Sequence, residues 1–182
     1  MNIDVLKEAS LMSYTADLIA GRTARIIRQN HTRDPFDIAS ALGIHIMFSD
    51  ELSRLKGMYF VVKRSRFICI NSRLDEQTQR IVCAHELGHD QLHRELAAGG
   101  AMQEFVLYDM ASRSEYEANV FAADLLLDEE RMLDYMIHYR YDAEQIAQVM
   151  DTDINLVALR AAGLSHRGYK LNKLESRTDF LK

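Results

Sequence analysis

The chain has 182 residues, 48% hydrophobic and 27% charged, which suits one globular domain or a domain with a small appendage. Its formal net charge of −5 argues against the basic surface of a nucleic-acid binder. With only two cysteines, Cys69 and Cys83, and no apolar run near the roughly 20 residues of a membrane helix, we expect a cytoplasmic protein that makes no contact with a membrane.

The N-terminal part of the chain predicts two helices. Residues 3–29 have the apolar spacing of a long amphipathic helix. In "RDPFDIASALGI", Asp34 suits an N-cap and Pro35 the first helical position, so a second helix begins there and stops at Gly43.

Three β-type segments follow these helices. They are "IHIMF" (44–48), "GMYFVV" (57–62) and "RFICIN" (66–71). The intervening "KRS" predicts a hairpin turn between the second and third segments. A small sheet is therefore expected in this part of the chain.

The rest of the chain predicts mainly helices, giving one α+β domain followed by smaller parts. We expect a domain over 1–140, a helical pair with a turn at 151–153 packed on it over 141–164, and a polar tail over 165–182. Within these parts, helices are expected at 75–93, 112–127 and 128–139, with a loop marked by "AAGG" at 97–100.

The stretch "AHELGHDQLH" (84–93) has the spacing of a metal site. On a helix, residues are about 100° apart, so His85 and His89 lie about 40° apart and reach one point. Glu86 is turned about 100° from His85, which suits a base acting on a metal-bound water better than a ligand. The pattern also occurs by chance in ordinary helices that contain histidines, and that alternative stays open here.

A catalytic zinc site needs a third protein ligand, and "SEYEANVFAADLLL" (114–127) offers two glutamates. Glu115 shares a small, apolar face with Asn119 and is expected to point inward, where a buried carboxylate requires a cation or a donor. Glu117 is expected nearer Asp124 and the solvent. We therefore favour Glu115 as ligand, with Asn119 orienting a ligand histidine.

Together, "AHELGHDQLH" and "EYEANVFAADLLL" closely resemble the ImmA/IrrE family of bacterial metallopeptidases, and "DPFDIASALGI" and the hairpin match that family's layout. The resemblance covers roughly residues 15–165. It implies zinc on His85, His89 and Glu115, and Glu86 as general base. It also implies a zincin-like α+β fold followed by a helix-turn-helix-like segment, and cleavage of a DNA-binding repressor encoded nearby.

One departure from the family pattern is visible after the third-ligand helix. The family commonly has a proline there, whereas this chain has "LLLDEE". Asp128 can instead cap the next helix, so the local turn is expected to differ without affecting the chemistry.

Three further groups of residues have both a functional and a structural interpretation. His93 either lines the cleft or sits at a helix C-terminus favoured by the helix dipole. Cys69 and Cys83 are expected to pack in the core. An aromatic cluster includes a candidate for stabilising an oxyanion, although packing is favoured for each member: Tyr135, His138, Tyr139 and Tyr141.

These features favour a zinc endopeptidase acting on a protein, with Mn²⁺ as an alternative metal. The strand at 66–71 is expected to pair with an extended substrate. Two rival hypotheses are a non-proteolytic regulator that binds and antagonises a repressor, and a DNA-binding regulator using 142–164. The last is disfavoured because the second helix of that segment offers one basic side chain, Arg160, beside an acidic flank.

Overall fold

The computed structural model describes residues 3–95, 113–169 and 171, with side chains from Thr15 onward. Within these residues the fold is α+β, as predicted, with seven helices and one three-stranded sheet. The helices are α1 (Ile3–Asn30), α2 (Pro35–Ala41), α3 (Glu76–Leu92), α4 (Arg113–Leu126), α5 (Glu129–Ile137), α6 (Ala143–Val149) and α7 (Ile154–His166), and the strands are β1 (Ile44–Ser49), β2 (Gly57–Val62) and β3 (Ser65–Asn71). The predicted loop at 97–100 lies outside the described residues.

The start of α2 follows its sequence signals. The Asp34 side chain accepts hydrogen bonds from the backbone amides of Phe36 and Asp37, and Pro35 occupies the first helical position. These contacts satisfy amides that lack partners within the helix. The predicted helix start is therefore confirmed.

The sheet has the strand order β1–β3–β2, with β1 parallel and β2 antiparallel to β3. The hairpin between β2 and β3 turns at Lys63 and Arg64, whose φ angles are 47° and 69°. Two consecutive positive φ values fit a two-residue turn that matches strand twist. The turn is thus one residue shorter than predicted, and Ser65 already belongs to β3.

The expectation that the strand at 66–71 pairs with a substrate is wrong. This segment lies in β3, the central strand, and its backbone is hydrogen-bonded to β1 on one side and β2 on the other. A central strand has no free edge to which another strand can add. In the part of the chain that the structure describes, β2 pairs only with β3 and is therefore an edge strand.

A buried carboxylate, Asp90, links α3 to the sheet. Its oxygens accept hydrogen bonds from Tyr59 Oη of β2 (2.8 Å) and from the Arg66 guanidinium of β3 (3.0 and 3.1 Å). Arg94 adds a contact of 2.9 Å from the solvent side. Burial and the hydrogen bond to Asp90 raise the pKa of Tyr59. A buried charge needs such a complete set of partners, so this network fixes α3 against two strands.

Helix α4 packs on α3 at a glycine. A Cβ added to Gly88 would lie 3.1 Å from Cα and 3.1 Å from the carbonyl oxygen of Ala118, and 3.3 Å from Phe121 Cβ. Glycine at this position therefore permits close approach of the two helix backbones.

The chain divides into two compact units, Met1–Leu126 and Leu127–Lys182. Helix α5 therefore groups with α6 and α7, whereas the sequence placed it with the first domain, up to residue 140. In the second unit, Asp128 caps α5 and Asp142 forms a capping box with Gln145 at α6, each as its sequence favours.

The polar tail expected from residue 165 is described only in part. Ser165 and His166 complete α7, whereas residues 170 and 172–182 lie outside the described residues. None of the described helices is both long enough and apolar enough to span a bilayer.

Candidate metal centre

The middle of α3, residues 81–90, is buried along its whole length. The helix begins at an N-cap, Asp75, whose side chain accepts a hydrogen bond from the Thr78 amide. The apolar side chains that share this stretch with the two histidines, Ile81 and Val82 among them, are 5% and 0% exposed. This burial places both histidines out of water.

The two histidines and Glu115 converge on one point. His85 Nε2 and His89 Nε2 lie 3.1 Å apart. Glu115 Oε2 is 3.3 Å from His85 Nε2, and Oε1 is 3.5 Å from His89 Nε2. The residue is 7% exposed, as expected for an inward-facing glutamate. These ligand atoms all lie within 4.8 Å of one another, so the three side chains could hold a metal ion.

The separations of these atoms fit a metal ion. Ligand atoms about 2.0–2.2 Å from a tetrahedral ion lie roughly 3.3–3.5 Å apart. The two histidine nitrogens are 3.1 Å apart, and each faces a different oxygen of Glu115, at 3.3 and 3.5 Å, so the three side chains are close enough together to share one ion. Two imidazole nitrogens and a carboxylate are also a donor set used in catalytic zinc sites, which keep one position open for water. The three residues therefore fit a metal ion.

Asn119 contacts the outer nitrogen of one histidine. Its Oδ1 lies 2.9 Å from His85 Nδ1, and both residues are buried. An amide oxygen only accepts, so His85 carries a proton on Nδ1, which leaves Nε2 as the atom that would bind a metal ion. This is the contact that the i, i+4 spacing of Glu115 and Asn119 suggested.

Glu86 lies beside the cluster in an apolar pocket. The residue is 0% exposed, and within the described residues neither carboxylate oxygen makes a hydrogen bond of regular geometry. The first residue of β2 closes against it: a Cβ on Gly57 would lie 3.1 Å from Glu86 Oε1 and 2.3 Å from Val82 Cγ1. Gly57 thus allows the edge strand to approach this carboxylate, which the sequence did not reveal.

Burial shapes the protonation of these groups. It raises the pKa of Glu86 to about 7 and lowers that of His89 to about 4, which keeps His89 neutral. Burial also acts on Glu115, but hydrogen bonds with His85 and His89 outweigh it and lower the pKa of that carboxyl. A carboxyl group with a pKa near 7 is well suited to accept and return a proton near neutral pH.

Glu117 and His93 form a pair that the sequence did not predict. Glu117 Oε2 is 3.0 Å from His93 Nε2, and His93 Nδ1 is 3.2 Å from His89 Nδ1. Glu117 was expected toward the solvent near Asp124, but its side chain is only 14% exposed and Asp124 is buried. The i, i+4 spacing of His89 and His93 could have indicated that these two side chains are neighbours on the helix.

The remaining candidates have structural surroundings. Cys69 and Cys83 are buried and burial raises the pKa of both thiols, which suits packing. In the second unit, three rings of the aromatic cluster contact one another at centroid distances of 5.5–5.9 Å, in agreement with the packing alternative: Tyr135, Tyr139 and Tyr141.

Comparison with known proteins adds to this geometry. Residues 39–161 match the family model described as the IrrE N-terminal-like domain, a peptidase family. This chain belongs to the ImmA/IrrE family of metallopeptidases. The match includes the three side chains of the candidate metal centre and extends into the second compact unit.

Two relatives support the family assignment. The chain is 30% identical to "Metallopeptidase ImmA" of Bacillus subtilis (strain 168) over 137 residues, which are 74% of this chain and 78% of the relative. It is 37% identical to "Uncharacterized immunity region protein 2" of Bacillus phage phi105 over 110 residues, 60% of this chain and 68% of the relative.

At the "LLLDEE" departure from the family pattern, Asp128 accepts a hydrogen bond from the Arg131 amide and caps α5, as expected.

Proposed function

We propose that this metallopeptidase is a zinc-dependent endopeptidase that cleaves a DNA-binding repressor. The observation that carries the proposal is the convergence of His85, His89 and Glu115 at 3.1–3.5 Å, with the carboxylate of Glu86 buried beside them. In this assignment the first three residues hold the metal and Glu86 is the general base.

Each side chain has a defined task in peptide hydrolysis. Zn²⁺ in this position would lower the pKa of a water molecule and polarise the scissile carbonyl. Glu86 accepts a proton from the attacking water and returns it to the leaving amine, because its pocket brings its pKa near neutrality. His85 and His89 would hold the ion through Nε2.

The donor set favours zinc without requiring it. Two imidazoles and one carboxylate are a regular zinc set, and Mn²⁺ also accepts nitrogen and carboxylate ligands. Zinc is proposed because this donor set is used in catalytic zinc sites, and Mn²⁺ is the alternative for metal analysis.

The edge strand β2 is the proposed docking site for the extended substrate. It replaces β3, whose two edges are occupied. Gly57 begins β2 and lies against Glu86, so a peptide pairing with this strand would pass close to the proposed base. Backbone pairing of this kind gives affinity with little dependence on side chains.

The proposed class of substrate rests on the relatives. One is named as a metallopeptidase and the other as an immunity region protein of a phage. The resemblance to the ImmA/IrrE family implies a DNA-binding repressor encoded nearby, and this is the substrate that we propose. Direct DNA binding by this chain is not proposed, because Arg160 is 5% exposed and its guanidinium is 3.2 Å from Glu129.

The experiment is incubation of the zinc-loaded protein with the repressor encoded beside its gene, followed by mass spectrometry of the fragments. We expect cleavage at a defined peptide bond that is blocked by a chelator and restored by zinc. An intact repressor that nevertheless binds and loses its DNA would contradict proteolysis and favour the rival, a non-proteolytic antagonist.

A further inference from the structure

We propose that His93 and Glu117 are positioning residues that hold His89 in the tautomer needed for metal binding. This inference rests on the proposed metal centre and adds a hydrogen-bonded chain behind it. The chain runs from His89 through His93 and Glu117 to Arg113, with separations of 3.2, 3.0 and 2.6 Å. Three of its four members come from α3 and α4, and His93 directly follows α3.

The geometry fixes the direction of every proton in the chain. His89 Nε2 faces the cluster, so as a ligand His89 must carry its proton on Nδ1 and donate it to His93 Nδ1. His93 then carries its own proton on Nε2 and donates it to Glu117 Oε2. Glu117 can only accept when ionised, and Arg113 Nε donates to its other oxygen.

The opposite placement of the protons is excluded by Glu117, which can only accept a hydrogen bond from His93. A proton on His93 Nδ1 would point at His89 Nδ1 and force the proton of His89 onto Nε2, where it would block the metal. That arrangement would also leave His93 Nε2 and Glu117 Oε2, both acceptors, 3.0 Å apart. Two facing acceptors repel. The carboxylate of Glu117 therefore selects, through His93, the tautomer of His89 that can bind a metal.

The two ligand histidines are therefore supported differently. His85 donates to one neutral amide oxygen, that of Asn119. His89 donates into a chain that ends in a carboxylate held by a guanidinium, and a carboxylate raises the basicity of the imidazole it supports. His93 is 8% exposed and the Glu117 side chain 14%, so the hydrogen bond between them is largely shielded from water, whereas the Arg113 side chain is 66% exposed.

The side chain of His93 can be changed without removing its structural role in the helix. That role is made by the backbone, because the His93 amide donates to the His89 carbonyl at 2.8 Å and closes the end of α3. A substitution therefore keeps this bond. The variants His93→Leu and His93→Asn separate the side-chain contacts, since an asparagine oxygen can accept from His89 as Nδ1 does, whereas leucine cannot.

The test is zinc affinity, measured by competition with a chromophoric chelator on the intact chain. Loss of an outer hydrogen-bond partner typically weakens metal binding about 10–100-fold, and we expect that loss for His93→Leu. His93→Asn should recover most of the zinc affinity. The affinity of Glu117→Gln should lie between those of His93→Leu and the wild type. The matched control is His138→Asn, because His138 forms an exposed pair with Asp134 at 3.1 Å. The zinc affinity of this variant should equal that of the wild type.

A spectroscopic readout accompanies the affinities. In the zinc-loaded wild type, ¹⁵N NMR should show His89 protonated on Nδ1, and His93 protonated on Nε2. Wild-type zinc affinity in folded His93→Leu and in Glu117→Gln would overturn the proposal while leaving the metal centre intact. If His93→Leu fails to fold, Glu117→Gln decides by the same measure. A wild type that binds no metal would contradict the metal centre itself.

Discussion

His85 and His89 face each other across one turn of α3 with their Nε2 atoms 3.1 Å apart. In each ring the outer nitrogen has its own hydrogen-bond partner, Asn119 for one and His93 for the other. Two ring nitrogens that converge in a buried place are unfavourable unless a cation or a proton lies between them. With Glu115 alongside, the arrangement is best explained as a ligand set.

Removal of a ligand should empty the site. His89→Ala deletes one of three protein ligands, and we expect bound metal to fall from one ion per chain to near zero. Elemental analysis of protein purified without chelators measures this directly. His138→Ala, on an exposed residue outside the cluster, is the control. Full metal content in His89→Ala, or none in the wild type supplied with zinc, would refute the ligand assignment.

Substitution of the two glutamates of α4 should reduce metal affinity by different amounts. Glu115→Gln replaces a charged ligand by a neutral amide and should lose nearly all metal affinity. Glu117→Gln leaves all three ligands in place and should weaken binding by at most about 10–100-fold, because it disturbs only the support of His89. Isothermal titration with zinc compares the two variants. A larger loss in Glu117→Gln would mean that the wrong carboxylate was assigned as ligand.

Gly88 should resist substitution although it lies within a helix. Alanine normally stabilises a helix relative to glycine by about 0.5–1 kcal/mol. In Gly88→Ala the new methyl group would meet backbone atoms of Ala118 at 3.1 Å, and α4 cannot yield there without shifting. Overpacking of this kind costs about 1–3 kcal/mol, so we expect a net loss in the free energy of unfolding.

Gly163 provides the matched control for that substitution. It lies within α7, and nothing stands within 4 Å of an added Cβ. Gly163→Ala should therefore raise stability by about 0.5–1 kcal/mol. Urea denaturation measures both variants. Equal stabilisation by the two alanines would show that α3 and α4 are not in tight contact at Gly88.

Asp90 should be important for stability. In Asp90→Ala, the Tyr59 hydroxyl loses its acceptor and Arg66 loses its ion pair. Breaking a buried ion pair by removing one partner costs about 3–5 kcal/mol, and thermal unfolding should show the loss. Asp50→Ala is the comparison, because the Asp50–Arg73 pair is long, at 3.9 Å, and exposed. A loss of thermal stability in Asp90→Ala no larger than that in Asp50→Ala would contradict the stabilising role of the Asp90 network.

Much of the candidate site could be predicted because local rules determine it. Helical periodicity alone brings His85 and His89 to one point and turns Glu86 aside, and the small, apolar face of α4 identifies Glu115 as buried. Capping residues such as Asp34 also mark helix starts accurately, since the cap is a contact between residues two or three apart.

The errors concern contacts between elements. Periodicity gives the angle of a side chain around its own helix, not the rotation of that helix against a neighbour, so the contact of Glu117 with His93 was missed. Strand order likewise depends on the crossover from β1, which places β3 in the centre, and no local pattern in "RFICIN" encodes it. The burial of Asp124 has the same origin.

The most direct test of the proposed chemistry is the Glu86→Gln variant, assayed in parallel for bound metal and for cleavage of the repressor. Glu86 is beside the ligands and is not one of them, so we expect one bound ion per chain. General acid–base catalysis contributes typically about 10²–10⁴-fold, so residual cleavage should be below about 1% of the wild type. Glu76→Gln, at an exposed position on the same helix, should behave as wild type. Relief of repression by Glu86→Gln as complete as by the wild type would contradict peptide hydrolysis as the working activity.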